Sequence, residues 1–101
     1  MNGIESWYWS TIVERVKSGE FLSARYEAIT IRLAPKTTWT PDFFIIKKDG
    51  TAMFHETKAS WKGAGQDVSR VKVKLAAEMY PEFEFSVIMI KNKKVSSVES
   101  L

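Results

Sequence analysis

The tightest constraint on this chain is a turn. Residues 43–57 read FFIIKKDGTAMFHET, two β-forming apolar runs separated by a segment that holds Asp49-Gly50. An Asp-Gly pair in that setting signals a hairpin, because Gly accepts the positive φ that tight turns require. It predicts strands over residues 43–47 and 52–57. A regular hairpin also fixes which residues face each other. Asp42, just before the first strand, comes level with Glu56 near the end of the second. Lys58 shares the face of Glu56, since strand side chains alternate. Two carboxylates and an amine therefore meet at the open end of two apolar strands.

The other elements follow from spacing. Residues 4–17 carry Tyr8 or Trp9, Ile12, Val13 and Val16 at helical intervals, and Ser18-Gly19 closes that helix. Residues 23–33, SARYEAITIRL, alternate and are rich in β-formers, which predicts one strand ended by Pro35. Residues 36–40 read as a connection and 59–65 as a loop with two glycines. A second helix over 66–79 is predicted to face the core with Val68, Val71, Leu75 and Met79, and Tyr80-Pro81 stops it. Residues 83–90 form a last strand, apolar enough for burial on both faces, and 95–101 read as a loose polar tail. The expected order is αβββαβ, in one domain spanning 1–101.

Composition narrows the class. With 101 residues, 45% hydrophobic and 27% charged, the chain suits a single globular domain rather than disorder. The absence of Cys excludes disulfides and thiolate metal sites and is compatible with the cytoplasm. The opening MNGIESWYWS lacks a basic segment followed by an apolar run, so no secretory leader is expected. No apolar run approaches the roughly 20 residues of a membrane span. The net charge of +3 is compatible with nucleic acid. Lys58, Lys62, Arg70, Lys72 and Lys74 crowd the stretch after Thr57, against Asp67 and Glu78.

The strand-end cluster has a chemistry. Paired carboxylates repel and stay ionised most readily around a cation. Oxygen donors without thiolate suit a hard ion, Mg²⁺ or Mn²⁺, and the Thr57 carbonyl lies between the two carboxylates in sequence. Lys58 would hold and polarise a water, or stabilise charge developing on a phosphate. Together these parts suit phosphodiester hydrolysis. A surface group of salt bridges is the competing reading of the same residues. His55 points to the opposite strand face, as a packing or surface residue would. Trp7 and Trp9 on the helix suit packing. Trp39 suits either packing or base stacking, and Trp61, in the loop after Lys58, is a candidate base-stacking contact. Lys62, Arg70 and Lys74 are candidate phosphate contacts, the last two one helical turn apart. A solvated charged face is the alternative.

The motifs also carry a resemblance. Pro41-Asp42 followed by Glu56-x-Lys58 resembles the PD-(D/E)xK nuclease signature. Across residues 26–90, TWTPDF, HETKASW and AAEMYPEFEFSVI resemble the endonuclease I family of short-tailed phages, which are Holliday-junction resolvases. The resemblance implies an α/β restriction-endonuclease-like core, with a mixed central sheet flanked by helices. It implies a Mg²⁺-dependent endodeoxyribonuclease, with Mn²⁺ able to substitute. Asp42, Glu56 and the Thr57 carbonyl would hold the metal, and Lys58 would be the catalytic lysine. The family adds a Glu from the first helix. GIES at residues 3–6 resembles its start and points to Glu5, but this helix is about a turn longer than expected, so Glu14 stays open. The expected partners are four-way or otherwise branched DNA and a second copy of the chain, since a junction needs two symmetric cuts. A phage source would place the protein in the host cytoplasm. The connection over 34–40 is shorter than the segment bridging family subunits. A nuclease of the same fold acting on linear or nicked DNA is one alternative, and a catalytically silent DNA-binding phage protein is another.

Overall fold

A computed structural model describes residues 1–59 and 68–101. Helix α1 spans Gly3–Lys17. Asn2 caps it reciprocally: its side chain accepts from the Glu5 amide at 2.8 Å, and the Glu5 carboxylate accepts from the Asn2 amide at 3.0 Å. This capping box satisfies two donors that a helix start leaves open. Gly19, at φ 85°, takes the left-handed conformation that ends the helix.

Five of the described strands precede the second helix. They are β1 (Phe21–Tyr26), β2 (Ile31–Ala34), β3 (Thr37–Trp39) and β4 (Phe43–Lys47), followed by β5 (Ala52–Ala59). Helix α2 (Val68–Met79) leads to β6 (Glu84–Ile90) and β7 (Val95–Ser100). Five strands make one sheet in the order β1-β4-β5-β6-β7, and β2 with β3 makes a separate ribbon. Only β5 and β6 run parallel, joined through α2, so the sheet is mixed. Among the described residues the protein is thus an α/β fold built on a mixed five-stranded sheet with two helices. Among the described residues no helix is long and apolar enough to cross a membrane.

Each face of the sheet has its own core. On one side α1 lays Tyr8 and Ile12 over Phe43, Ile45, Met53 and Ile88, and the Trp9 ring stacks on Phe43 with centroids 5.8 Å apart. On the other, α2 packs Val73 and Ala76 against Phe54, Phe85 and Val87, and the β2–β3 ribbon adds Ile31, Leu33 and Trp39. Burying each such Phe or Ile contributes about 1.5–3 kcal/mol. The ribbon is tied to α2 at two points: Lys72 Nζ donates to the Thr38 carbonyl, and the Tyr80 hydroxyl to that of Arg32, each at 3.0 Å.

Four expectations are corrected. The single strand over 23–33 is two strands, β1 and β2. Its partner β4 begins at Phe43, and the Asp42 amide before it turns to Glu56 Oε1 instead of across to β1. The last rung is the Glu27 amide donating to the Asp42 carbonyl at 2.9 Å, after which Glu27 turns at a left-handed φ of 45°. The connection over 36–40 contains β3, paired back on β2 through a turn in which Lys36 has φ 61°. The tail is not loose: residues 95–100 form β7, antiparallel to β6. Finally, the stripe of Val68, Val71, Leu75 and Met79 is exposed, at 42–68%. The helix instead buries Val73 and Ala76, on its other stripe, against Phe85 and Trp39.

Candidate metal centre

The hairpin register places the site. Phe43 pairs with His55, so Asp42 lies beside Glu56, and the Asp42 amide donates to Glu56 Oε1 at 3.2 Å. Thr57 holds one oxygen of Asp42 twice, its amide and its hydroxyl each reaching Oδ2 at 2.8 Å. Both carboxyl groups are buried. Burial pushes the Asp42 pKa upward, against the pull of the Thr57 bonds. Burial, and next the charge of Asp42, pushes Glu56 up to about 7. These carboxylates bear a desolvation cost and a like-charge cost together, which an added cation would relieve.

Asp42 also belongs to a second group. Carboxylate oxygens of Glu5, Glu27 and Asp42 lie within 4.8 Å of one another. The Tyr26 hydroxyl donates to Glu5 Oε1 at 3.0 Å. Its own pKa is pushed up, first by its hydrogen bond with Glu27 and also by Glu5. Asp42 is therefore the hub, with Glu56 on one side and Glu5 and Glu27 on the other. Of the two helix carboxylates considered, Glu5 sits at this hub. Glu14 lies on the exposed side of α1, where it pairs with Lys17 at 3.9 Å.

Lys58 follows Glu56 on the same strand face, where its charge favours the ionised form of Glu56. Its ammonium donates to Ser69 Oγ, in the first turn of α2, at 3.1 Å. Trp39 closes the α2 side, and its indole N–H also favours the charged form of Glu56. The carboxylate oxygens are a donor set that fits a hard divalent cation, and a lysine and a buried N–H lie beside them.

The remaining candidates lie elsewhere. His55 points away from the carboxylates, buried under α1, with Nδ1 2.7 Å from the Tyr8 hydroxyl. Arg70 and Lys74 lie on α2, but the Arg70 guanidinium is engaged by both oxygens of Glu99 on β7, with Nε to Oε1 at 3.0 Å. Trp61 and Lys62 fall outside the described residues.

Sequence reasoning missed Glu27 and the placement of Trp39. Glu27 carried no local signal: its place beside Asp42 depends on the register of β1 on β4 and on the left-handed turn at Glu27. Trp39 carried no such signal, because its contact with the site depends on the ribbon folding back over α2. Compared with protein-family models and with curated proteins, the sequence matches none of either.

Proposed function

We propose that this protein is a metal-dependent phosphodiesterase acting on DNA. Within that class, the sequence motifs favour an endonuclease that resolves four-way or other branched DNA as a homodimer on a restriction-endonuclease-like core. The observation that carries the reading is the buried Asp42–Glu56 pair, both carboxyls shifted upward, with Lys58 two residues on. A fold has little reason to bury two repelling carboxylates together unless a cation joins them.

In this reading Asp42 and Glu56 hold Mg²⁺ or Mn²⁺, with the Thr57 carbonyl, and Glu5 and Glu27 extend the donor set. A bound cation supplies charge neutralisation at the phosphate and lowers the cost of deprotonating water. Thr57 keeps Asp42 in one orientation. Lys58 stabilises the negative charge that builds on the phosphate oxygens as water attacks phosphorus. Lys62, Arg70, Lys74 and Trp61 remain proposals for DNA contact, and Arg70 would have to exchange Glu99 for a phosphate.

The test is cleavage of a labelled four-way junction and a matched linear duplex, with Mg²⁺, Mn²⁺ or chelator, by wild type and Lys58→Ala. Junction cutting that needs metal and Lys58 is the expected result. Equal cutting of both DNAs would keep the nuclease and remove the branch preference. No cutting by folded protein would leave a DNA-binding protein at most.

A further inference from the structure

Trp39 is the buried polar side chain that the site leaves unexplained. The residue is 5% exposed, and its ring packs on Phe85 with centroids 6.1 Å apart. Its indole N–H is buried and completes no hydrogen bond among the described residues. Buried donors are almost always satisfied, so an open one calls for a physical cause. The Glu56 carboxyl stands on the same face of the sheet: Trp39 shares a core with Phe54, two residues before Glu56, and with Val87, its β6 partner, and the N–H favours the charged form of Glu56. Trp39 is also firmly carried. It ends β3, and the bonds from Lys72 to Thr38 and from Tyr80 to Arg32 fix that ribbon on α2. The N–H is thus held beside a metal-binding carboxyl by a frame, not by a pliable loop.

Such a donor has a defined use. Ligating carboxylates commonly take a hydrogen bond from a neighbouring group, which fixes their orientation. Functional hydrogen bonds are often long in the free protein and tighten when the ligand arrives. Glu56 already accepts the Asp42 amide on Oε1 at 3.2 Å. A second donor would fix its rotation.

We propose that Trp39 is a positioning residue: its indole N–H donates to the Glu56 carboxylate when that group holds a divalent cation, and so sets which lone pair is offered to the ion. This role rests on the metal-site reading above. Its discriminating feature is the N–H itself, separate from the bulk of the ring, which also fills the core under α2.

The test replaces Trp39 with 3-benzothienylalanine, which keeps the bicyclic shape and puts sulfur where the N–H was. Trp39→Phe serves as a second, smaller variant. Mn²⁺ affinity is read from the electron paramagnetic resonance of free Mn²⁺, alongside thermal unfolding in chelator and junction cleavage over a range of Mn²⁺. The expected result is Mn²⁺ affinity weaker by about tenfold or more. Metal-free melting should be unchanged or higher, because an unpartnered donor has been removed. Cleavage should recover at high Mn²⁺. Unchanged Mn²⁺ affinity with raised metal-free melting would overturn the proposal and leave the N–H a tolerated orphan. Wild type that binds Mn²⁺ but cuts no DNA would remove the nuclease and leave Trp39 its role. Wild type that binds no Mn²⁺ would remove both.

Discussion

His55 and Glu56 are consecutive residues of β5, equally buried at 7% exposure, and they face opposite sides of the sheet. Beneath α1, His55 meets the Tyr8 hydroxyl at 2.7 Å. Burial holds its pKa down to about 4 and raises Tyr8 to about 12, so both stay neutral near pH 7. Beneath α2, Glu56 meets a second carboxyl, Asp42, and the pair is pushed the other way. The His55 side is a closed account: one donor, one acceptor and no net charge to desolvate. The Glu56 side is open: two like-charged carboxyls lie together with more acceptors than donors, and Lys58 is the cation on that face. Burial is the same on both faces. What separates a packing residue from a candidate site is whether the neighbours satisfy it.

The sharpest way to break that comparison is to change the open side. Asp42→Asn and Lys58→Ala should each lower metal-dependent junction cleavage by about 10²-fold or more, the scale of losing a group that stabilises developing charge. Glu56→Gln should also lose cleavage. In chelator at pH 8, however, it should raise the unfolding free energy by about 1–3 kcal/mol, because one of two repelling buried charges is gone. Denaturant unfolding checks this. A Glu56→Gln protein that is less stable than wild type without metal would mean the pair is satisfied after all.

The closed side should answer in the opposite sense. Tyr8→Phe leaves His55 Nδ1 buried without its partner and should cost about 1–3 kcal/mol. Cleavage per folded molecule should not change. Loss of cleavage in a folded Tyr8→Phe protein would assign His55 to the chemistry and erase the distinction between the faces.

Titration should sharpen the comparison further, since the two faces slope in opposite directions. A raised carboxyl pKa means that stability present at low pH is lost as pH rises from the ordinary carboxylate value, near ~4, through the folded value of about 7. A lowered imidazole pKa means that stability present at neutral pH is lost as pH falls from the ordinary value, near ~6.5, through about 4. In chelator the two trends oppose each other across that window. Glu56→Gln should remove most of the fall at higher pH and expose the rise due to His55. Saturating Mn²⁺ should remove the same limb in wild type by binding the ionised pair. A Glu56→Gln profile identical to that of metal-free wild type would end this account of the open face.

Much of the open face was legible in the sequence. Asp49-Gly50 fixed the hairpin, the hairpin fixed Asp42 beside Glu56, and alternation put Lys58 on one face and His55 on the other. These are local relations, set by period and turn chemistry. What was not legible depends on distant partners. The alternation over 23–33 is continuous, yet the ladder stops at Glu27, where the Asp42 amide goes to the Glu56 side chain instead of back across to β1. Helix α2 carries two apolar stripes, and periodicity cannot say which turns inward. Val71 and Leu75 stay out, and Val73 and Ala76 are the pair that packs on Phe54 and Phe85. The polar tail gave no strand signal, and it becomes β7 because β6 offers it an open edge.

Thr57 tests the comparison most finely, because it crosses it. By alternation it belongs to the His55 face, yet its hydroxyl and amide both reach Asp42 Oδ2 at 2.8 Å. Thr57→Val keeps the β-branched shape and the amide bond and deletes only the hydroxyl. The change should cost about 1 kcal/mol of stability and about tenfold in Mn²⁺ affinity, as loss of one orienting bond to a ligand does. Thr57→Ser should restore both. Threonine-like affinity in the valine variant would show that the backbone amide alone orients Asp42, and that the hydroxyl belongs with the closed side of β5. Loss of affinity rescued by serine would extend the open side by one residue, through the strand to a side chain that the alternation assigns to the other face.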